Sequence, residues 1–149
     1  VKVYLLILGS NIEPEKNMPL ARARLKAAFP GILFSDFYET DPVGPAGPEK
    51  FWNAAAIIKT ALSREEVSVL LKKIESDLGR TRSPENKFTP RTMDIDMLPS
   101  PEWQEQAFIM VPLAEIAPSI TDPETGKSFG ELARACLEQT SGVRRIEDL

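Results

Sequence analysis

The sequence predicts an α/β (α+β) fold in which helices cover one side of an antiparallel sheet, and three observations predict it. Short apolar runs bounded by turn residues recur along the chain, as strands do. Between them lie stretches whose apolar residues repeat at helical spacing. The two kinds alternate as strand, helix, strand, strand, helix, strand, an order that lets one sheet and two helices bury their apolar faces together.

Each element rests on its own residues. Residues 3–8, VYLLIL, are a buried-strand signal closed by the turn residues Gly9-Ser10-Asn11. A helix follows from about Pro19 to Ala28, with Leu20, Ala23, Ala27 and Ala28 as its inner face and Arg22, Arg24 and Lys26 toward solvent; Pro30-Gly31 stops it. Residues 32–38, ILFSDFY, read as a strand. The segment 41–50, DPVGPAGPEK, cannot continue a central strand. Residues 51–60, FWNAAAIIKT, resume strand character. The clearest helix is 63–78: Ser63 and Glu66 have capping-box spacing, and Val67, Leu70, Leu71, Ile74 and Leu78 recur along one face until Gly79. A polar basic loop covers 79–90, and 91–98, RTMDIDML, is a further strand. Pro99, Pro101 and Pro112 punctuate the next stretch, with 107–111, AFIMV, read as a short strand. A last helix from about 129 to 139 starts at a second capping-box pair, Ser128 and Glu131, and 141–149 receives no element. The order is the ferredoxin-like βαββαβ sandwich with C-terminal additions, read as a single domain over 1–149.

Composition narrows the function classes. A chain of 149 residues with 42% hydrophobic and 27% charged residues needs no disulfide or structural metal to build a core. The lone Cys136 lies in a helical pattern and reads as a core thiol, which a reducing cytoplasm permits. With 18 basic against 22 acidic residues, the net charge of -4 argues against general nucleic-acid binding. No apolar run approaches membrane-spanning length, so the expected location is cytoplasmic. The absence of histidine excludes His-based triads and His-containing zinc sites. Neither GxxxxGK[ST] nor GxGxxG is present.

The sharpest chemical signal is Asp94 with Asp96. On a strand, residues i and i+2 share a face and stand about 7 Å apart, so two carboxylates can converge on magnesium, which prefers hard oxygen ligands. Met93, Ile95 and Met97 then point to a covered face. The plainer reading is a solvated strand face, since D-x-D is short. The preceding segment, GRTRSPENKFTPR at 79–91, holds Arg80, Arg82, Lys87 and Arg91 against one acid, Glu85, which suits phosphate; a solvated loop is its plainer reading. Glu75, one turn before Gly79, either neutralises a loop arginine, helps seat nucleotide or faces solvent. Phe51 and Asn53 fall on one strand face, a ring beside an amide, as recognition of a heteroaromatic edge requires. Phe88 and Phe108 are further candidate walls, although each aromatic alone is more often core.

These residues fall into ordered motifs: LGSN at 8–11, FYETDPVG at 37–44, FWNAA at 51–55, GRTR at 79–82, TPRTMDIDML at 89–98 and VPLAEIAPSI at 111–120. The chain resembles the 6-hydroxymethyl-7,8-dihydropterin pyrophosphokinase family over essentially its whole length. The resemblance implies a ferredoxin-like fold and a magnesium-dependent diphosphokinase of folate biosynthesis, moving pyrophosphate from ATP to the hydroxymethyl group of a reduced pterin. It implies that Asp94 and Asp96 hold two magnesium ions, and that Arg80, Arg82 and Arg91 engage phosphate, with Arg82 and Arg91 in the catalytic set; Lys87 joins the cofactor-binding residues from the basic loop itself. Thr40, Val43, Phe51, Asn53, Phe88 and Phe108 fall at pterin or loop positions, with Phe88 in place of a usual tryptophan. Glu75 and Ser100 fall on the nucleotide side. The sequence departs from the family in a short excursion after the D-x-D strand, in Ser100 for a usual histidine, in Gln106 for a usual arginine and in Asp41 for a common proline. A weakened pterin- or nucleotide-binding homologue and a structural interaction domain are the alternatives these departures leave open. Protein partners are open as well.

Overall fold

The computed structural model describes residues 1–40, 51–79, 93–139 and 142–146. Its elements are β1 (Lys2–Ser10), α1 (Pro14–Ala28), β2 (Leu33–Phe34), β3 (Tyr38–Thr40), β4 (Phe51–Thr60), α2 (Arg64–Asp77), β5 (Asp94–Met97), a 3-10 turn (Trp103–Glu105), α3 (Ala107–Ile116), α4 (Phe129–Gln139) and β6 (Val143–Arg145). The strands form one antiparallel sheet in the order β5-β1-β4-β3-β6, with β2 also on β4. Placing the two long strands β1 and β4 side by side at the centre is the ferredoxin-like arrangement the element order predicts.

The central strands are apolar on both faces because both are covered. Leu6, Leu8, Ala54, Ala56 and Ile58 pack with Met18, Leu25, Val67, Leu71 and Ile74 of α1 and α2. Ile7, Ala55 and Ile57 pack instead with Met110 and Leu113 of α3 and Leu132 and Cys136 of α4. The expected single helical layer is therefore two, and the Ala54–Ala56 run is the strand's small-residue centre between them. Cys136 is buried, and burial pushes its thiol up, as suits a core residue.

The capping boxes form as read. At α2 the Glu66 N–H donates to Ser63 Oγ at 3.2 Å and the Ser63 N–H to Glu66 Oε1 at 3.0 Å. At α4 the Glu131 N–H donates to Ser128 Oγ at 3.2 Å. Ser63→Ala removes an acceptor from the first turn of α2, a loss of about 1 kcal/mol, and thermal unfolding should show Tm lower by roughly 3 °C. An unchanged Tm would mean the cap contributes nothing.

Several boundaries differ from the sequence reading. Helix α1 begins at Pro14, where a missing N–H is harmless, and Pro19 lies inside it. Its buried stripe is Met18, Ala21 and Leu25, leading to Phe29, so Leu20, Ala23, Ala27 and Ala28 are not the inner face; all four are exposed. The large Met and Leu set the helix phase, and the small alanines follow it. Gly9 and Ser10 continue β1 rather than turning. The strand read over 32–38 is broken: Phe34 pairs with Ala56 and Tyr38 with Asn53, so residues 35, 36 and 37 stand opposite 54 and 55 in a bulge. Ser35 fills the gap in the ladder, its Oγ accepting from the Ala55 N–H at 2.9 Å. Residues 107–111 are helix, not strand. Ile109, Met110, Leu113 and Ala117 are buried at helical spacing, whereas a short apolar run looks alike in either state. Strand β6 comes from the stretch that received no element. Of the strand read over 91–98, Asp94–Met97 form β5; Met93 and Leu98 fall outside it, and 91 and 92 lie outside the described residues.

Candidate active site

The register of the sheet gathers the candidate residues. Asp94 pairs with Gly9, Gly9 with Asn53, and Asn53 with Tyr38, making one row across four strands. In the next row Asp96 pairs with Ile7 and Ile7 with Ala55. Thr40 pairs with Phe51 on the other side of the first row. Directly paired residues project to the same face of a sheet. Asp94, Asp96, Asn53, Thr40 and Phe51 therefore share the face that carries Ile7 and Ala55, on which α3 lies. Ile95 and Met97 point to the α1 and α2 side, with Met93 buried there too, as the alternation predicts.

Gly9 shapes this row. With strands about 4.8 Å apart, Asp94 and Asn53 stand about 10 Å from each other across a residue with no side chain. A Cβ at Gly9 would meet Asn53 Nδ2 at 3.0 Å, so the glycine lets the amide lie close over β1. There Nδ2 donates to the Leu8 carbonyl at 3.3 Å, and Thr40 Oγ1 donates to Oδ1 at 2.9 Å. Asn53 is buried, and its amide is oriented by both neighbours while each end keeps one further hydrogen-bonding position. Phe51, two residues back along β4, shares the Asn53 face, as strand alternation predicts. Phe51 is half-buried, and Phe108 is half-buried in the first turn of α3 within the same apolar layer.

Asp94 is half-buried and Asp96 exposed. Among the described residues, no cluster of three or more metal-binding side chains forms. Two carboxylates at i and i+2 on one face nevertheless fit magnesium, which commonly takes one or two protein carboxylates and completes its shell with water and substrate phosphates.

Glu75 is not solvent-facing. It is 3% exposed, and its Oε2 accepts from the Ile95 N–H at 2.8 Å. Strand β5 is the sheet's edge among the described residues, so α2 supplies an acceptor to the backbone between the two aspartates. Glu75→Ala should leave that N–H without it. Hydrogen exchange at Ile95 should then quicken by roughly tenfold or more, while Glu75→Gln, which keeps an oxygen there, should largely retain protection. Unchanged exchange in the alanine variant would separate Glu75 from the order of β5.

Ser100 is not brought to this row. It follows Leu98, whose N–H donates to the Leu5 carbonyl and whose carbonyl accepts from Arg64 at the start of α2, beyond the end of β5 away from Asp94. Gln106 begins α3, its carbonyl accepting from the Ile109 and Met110 N–H groups. Arg80, Arg82, Lys87, Phe88, Arg91, Val43 and Asp41 lie outside the described residues.

Two residues escaped the sequence reading. Tyr38, paired with Asn53, donates its hydroxyl to Glu115 Oε1 at 2.6 Å. Burial first, and then the Glu115 carboxylate, push the Tyr38 phenol above its ordinary range, so it remains a donor. Both lie inside quoted motifs, FYETDPVG and VPLAEIAPSI, but nothing in their spacing shows that they meet.

Known proteins resemble this chain in sequence and in fold. The model of the 7,8-dihydro-6-hydroxymethylpterin-pyrophosphokinase (HPPK) family matches residues 5–118. The 2-amino-4-hydroxy-6-hydroxymethyldihydropteridine pyrophosphokinase of Bacillus subtilis is 35% identical, covering 93% of this chain and 92% of its own. The protein of the same name from Methylorubrum extorquens is 35% identical, covering 94% of this chain and 96% of its own. A crystal structure of an HPPK-DHPS in complex with substrates superposes with a TM-score of 0.74 at 12% identity, covering 99% of this chain but 47% of that one, a likeness of fold. Among the described residues, no helix is long and apolar enough to cross a membrane. With its motifs in order along the sequence and its family match spanning most of its length, the chain belongs to the 7,8-dihydro-6-hydroxymethylpterin-pyrophosphokinase family.

Proposed function

We propose that this chain transfers the pyrophosphoryl group of ATP to the hydroxymethyl group of 6-hydroxymethyl-7,8-dihydropterin, a step of folate biosynthesis. The observation that carries this reading is the row Asp94, Gly9, Asn53, which sets an acid pair and a buried, oriented amide on one face of the sheet, with only a glycine between them on the central strand. The hydroxyl oxygen of the pterin attacks the β-phosphorus of ATP. The bond from that phosphorus to the oxygen shared with the α-phosphate breaks, and AMP leaves.

The chain's own residues supply position and charge. Asn53, with the amide positions that Leu8 and Thr40 leave open, hydrogen-bonds the pterin edge, and Phe51 and Phe108 provide its apolar walls. Val43 and Phe88 complete the pterin side by resemblance. Asp94 and Asp96 are the magnesium ligands. Magnesium bound there supplies charge neutralisation for the phosphates and makes the attacking hydroxyl easier to deprotonate. Arg80, Arg82, Lys87 and Arg91 offset the remaining phosphate charge, with Arg82 and Arg91 in the catalytic set by resemblance. Glu75 serves the nucleotide side indirectly, through the backbone of β5. Ser100 is kept on the nucleotide side by resemblance.

Incubation with magnesium, ATP and the reduced hydroxymethyl pterin should release AMP and pterin diphosphate in equal amounts. Folded protein that yields neither product across a broad substrate range would overturn the assignment.

A further inference from the structure

Helix α3 carries Phe108 in its first turn and Glu115 in its last. The Glu115 carboxylate is its polar tie to the bulged strand. Oε1 and Oε2 accept from the Asp36 N–H at 3.1 and 3.0 Å, and Oε1 also accepts from the Tyr38 hydroxyl at 2.6 Å. The bulge at residues 35–37 turns the Asp36 N–H away from β4, where the Ser35 hydroxyl has taken over the ladder contact, and toward the helix. Arg145 of β6 pairs with Asp36, closing the cluster from the outside. Tyr38 is buried and stands directly opposite Asn53, two residues from Thr40.

We infer that Tyr38 and Glu115 are positioning residues for the pterin, a latch that fixes the helix bearing Phe108 against the strands bearing Asn53 and Thr40. The inference rests on the proposed pterin site. A helix two to three turns long behaves as a rigid rod. Its tie at one end therefore sets where its other end stands relative to the sheet, and with it the spacing between an aromatic wall and the amide that reads the ring's edge. A misplacement well under an ångström is enough to weaken such recognition. The nucleotide side is not built on this helix: Asp94, Asp96 and Glu75 belong to β5 and α2.

Steady-state kinetics of Glu115→Ala and Tyr38→Phe against wild type tests this. The expected result is a rise of roughly fivefold in KM for the pterin, with KM for ATP and kcat each within about twofold, and recovery of most of the loss in Glu115→Gln, which keeps an oxygen acceptor. Tyr38→Phe removes one hydroxyl and keeps the ring, so it remains readable should Glu115→Ala not fold. A lowered Tm with the pterin KM unchanged would make the latch structural only and overturn the inference. So would equal rises in both KM values. Wild-type protein without activity would instead defeat the proposed function.

Discussion

Asp96→Asn is expected to lower kcat by roughly a thousandfold in the magnesium-dependent reaction while leaving the protein folded. The substitution keeps the size and shape of the side chain and removes its charge. Asp96 is exposed on a short strand that is the sheet's edge among the described residues, so little of the core depends on it. Burial of Ile95 on the opposite face, packed against α1 and α2, and the Ile95 amide held by Glu75 keep β5 in register without the Asp96 carboxylate. The loss should therefore fall on the chemical step, not on stability: Tm within about 2 °C of wild type, and a sharp rise in the magnesium concentration needed for half-maximal rate. A wild-type rate in Asp96→Asn would remove the residue from its assigned role.

Asn53→Ala is expected to reduce kcat/KM for the pterin by roughly a hundredfold, with KM for ATP little changed. A site built to hydrogen-bond a polar edge discriminates strongly, because its groups are left unpaired when the partner is gone. Here the Asn53 amide is itself held by the Leu8 carbonyl and the Thr40 hydroxyl, so on the proposed reading it is oriented before the ligand arrives. Truncation removes the amide and leaves Thr40 and Leu8 without that partner. Some destabilisation, about 1 kcal/mol, should accompany it. Equal losses toward pterin and ATP would indicate general damage rather than loss of edge recognition.

The two substitutions probe the part of the site most legible in the sequence. Alternation alone placed Asp94 and Asp96 on one face and Met93, Ile95 and Met97 on the other, because a strand allows no other arrangement of its neighbours. The same rule put Phe51 with Asn53. The capping pairs of α2 and α4 were equally plain, since each is a contact between residues three apart. What the sequence could not show was pairing between distant strands. That Asp94 and Asn53 flank Gly9 follows from register, and register is fixed by the whole apolar pattern of β1, β4 and β5 together.

The misreadings share a cause. In α1, counting small apolar residues gave a face containing Ala23, Ala27 and Ala28, but the phase of a helix follows its largest buried side chains, Met18 and Leu25. In α3, the five residues of AFIMV fit strand or helix, and only the covered face of β4 decides between them. Glu75 shows the same limit from the polar side. A glutamate near a helix end leaves a loop arginine, a nucleotide and solvent as alternatives until an edge strand places an N–H beside it. The Tyr38–Glu115 contact spans 77 positions, a separation at which no local pattern operates.

The most direct test of the account is diffraction from crystals grown with manganese in place of magnesium and a non-hydrolysable ATP analogue. Anomalous peaks should lie about 2.1 Å from carboxylate oxygens of Asp94 and Asp96, with the nucleotide's phosphates completing the coordination. Nucleotide bound with its metal coordinated by neither aspartate would contradict it.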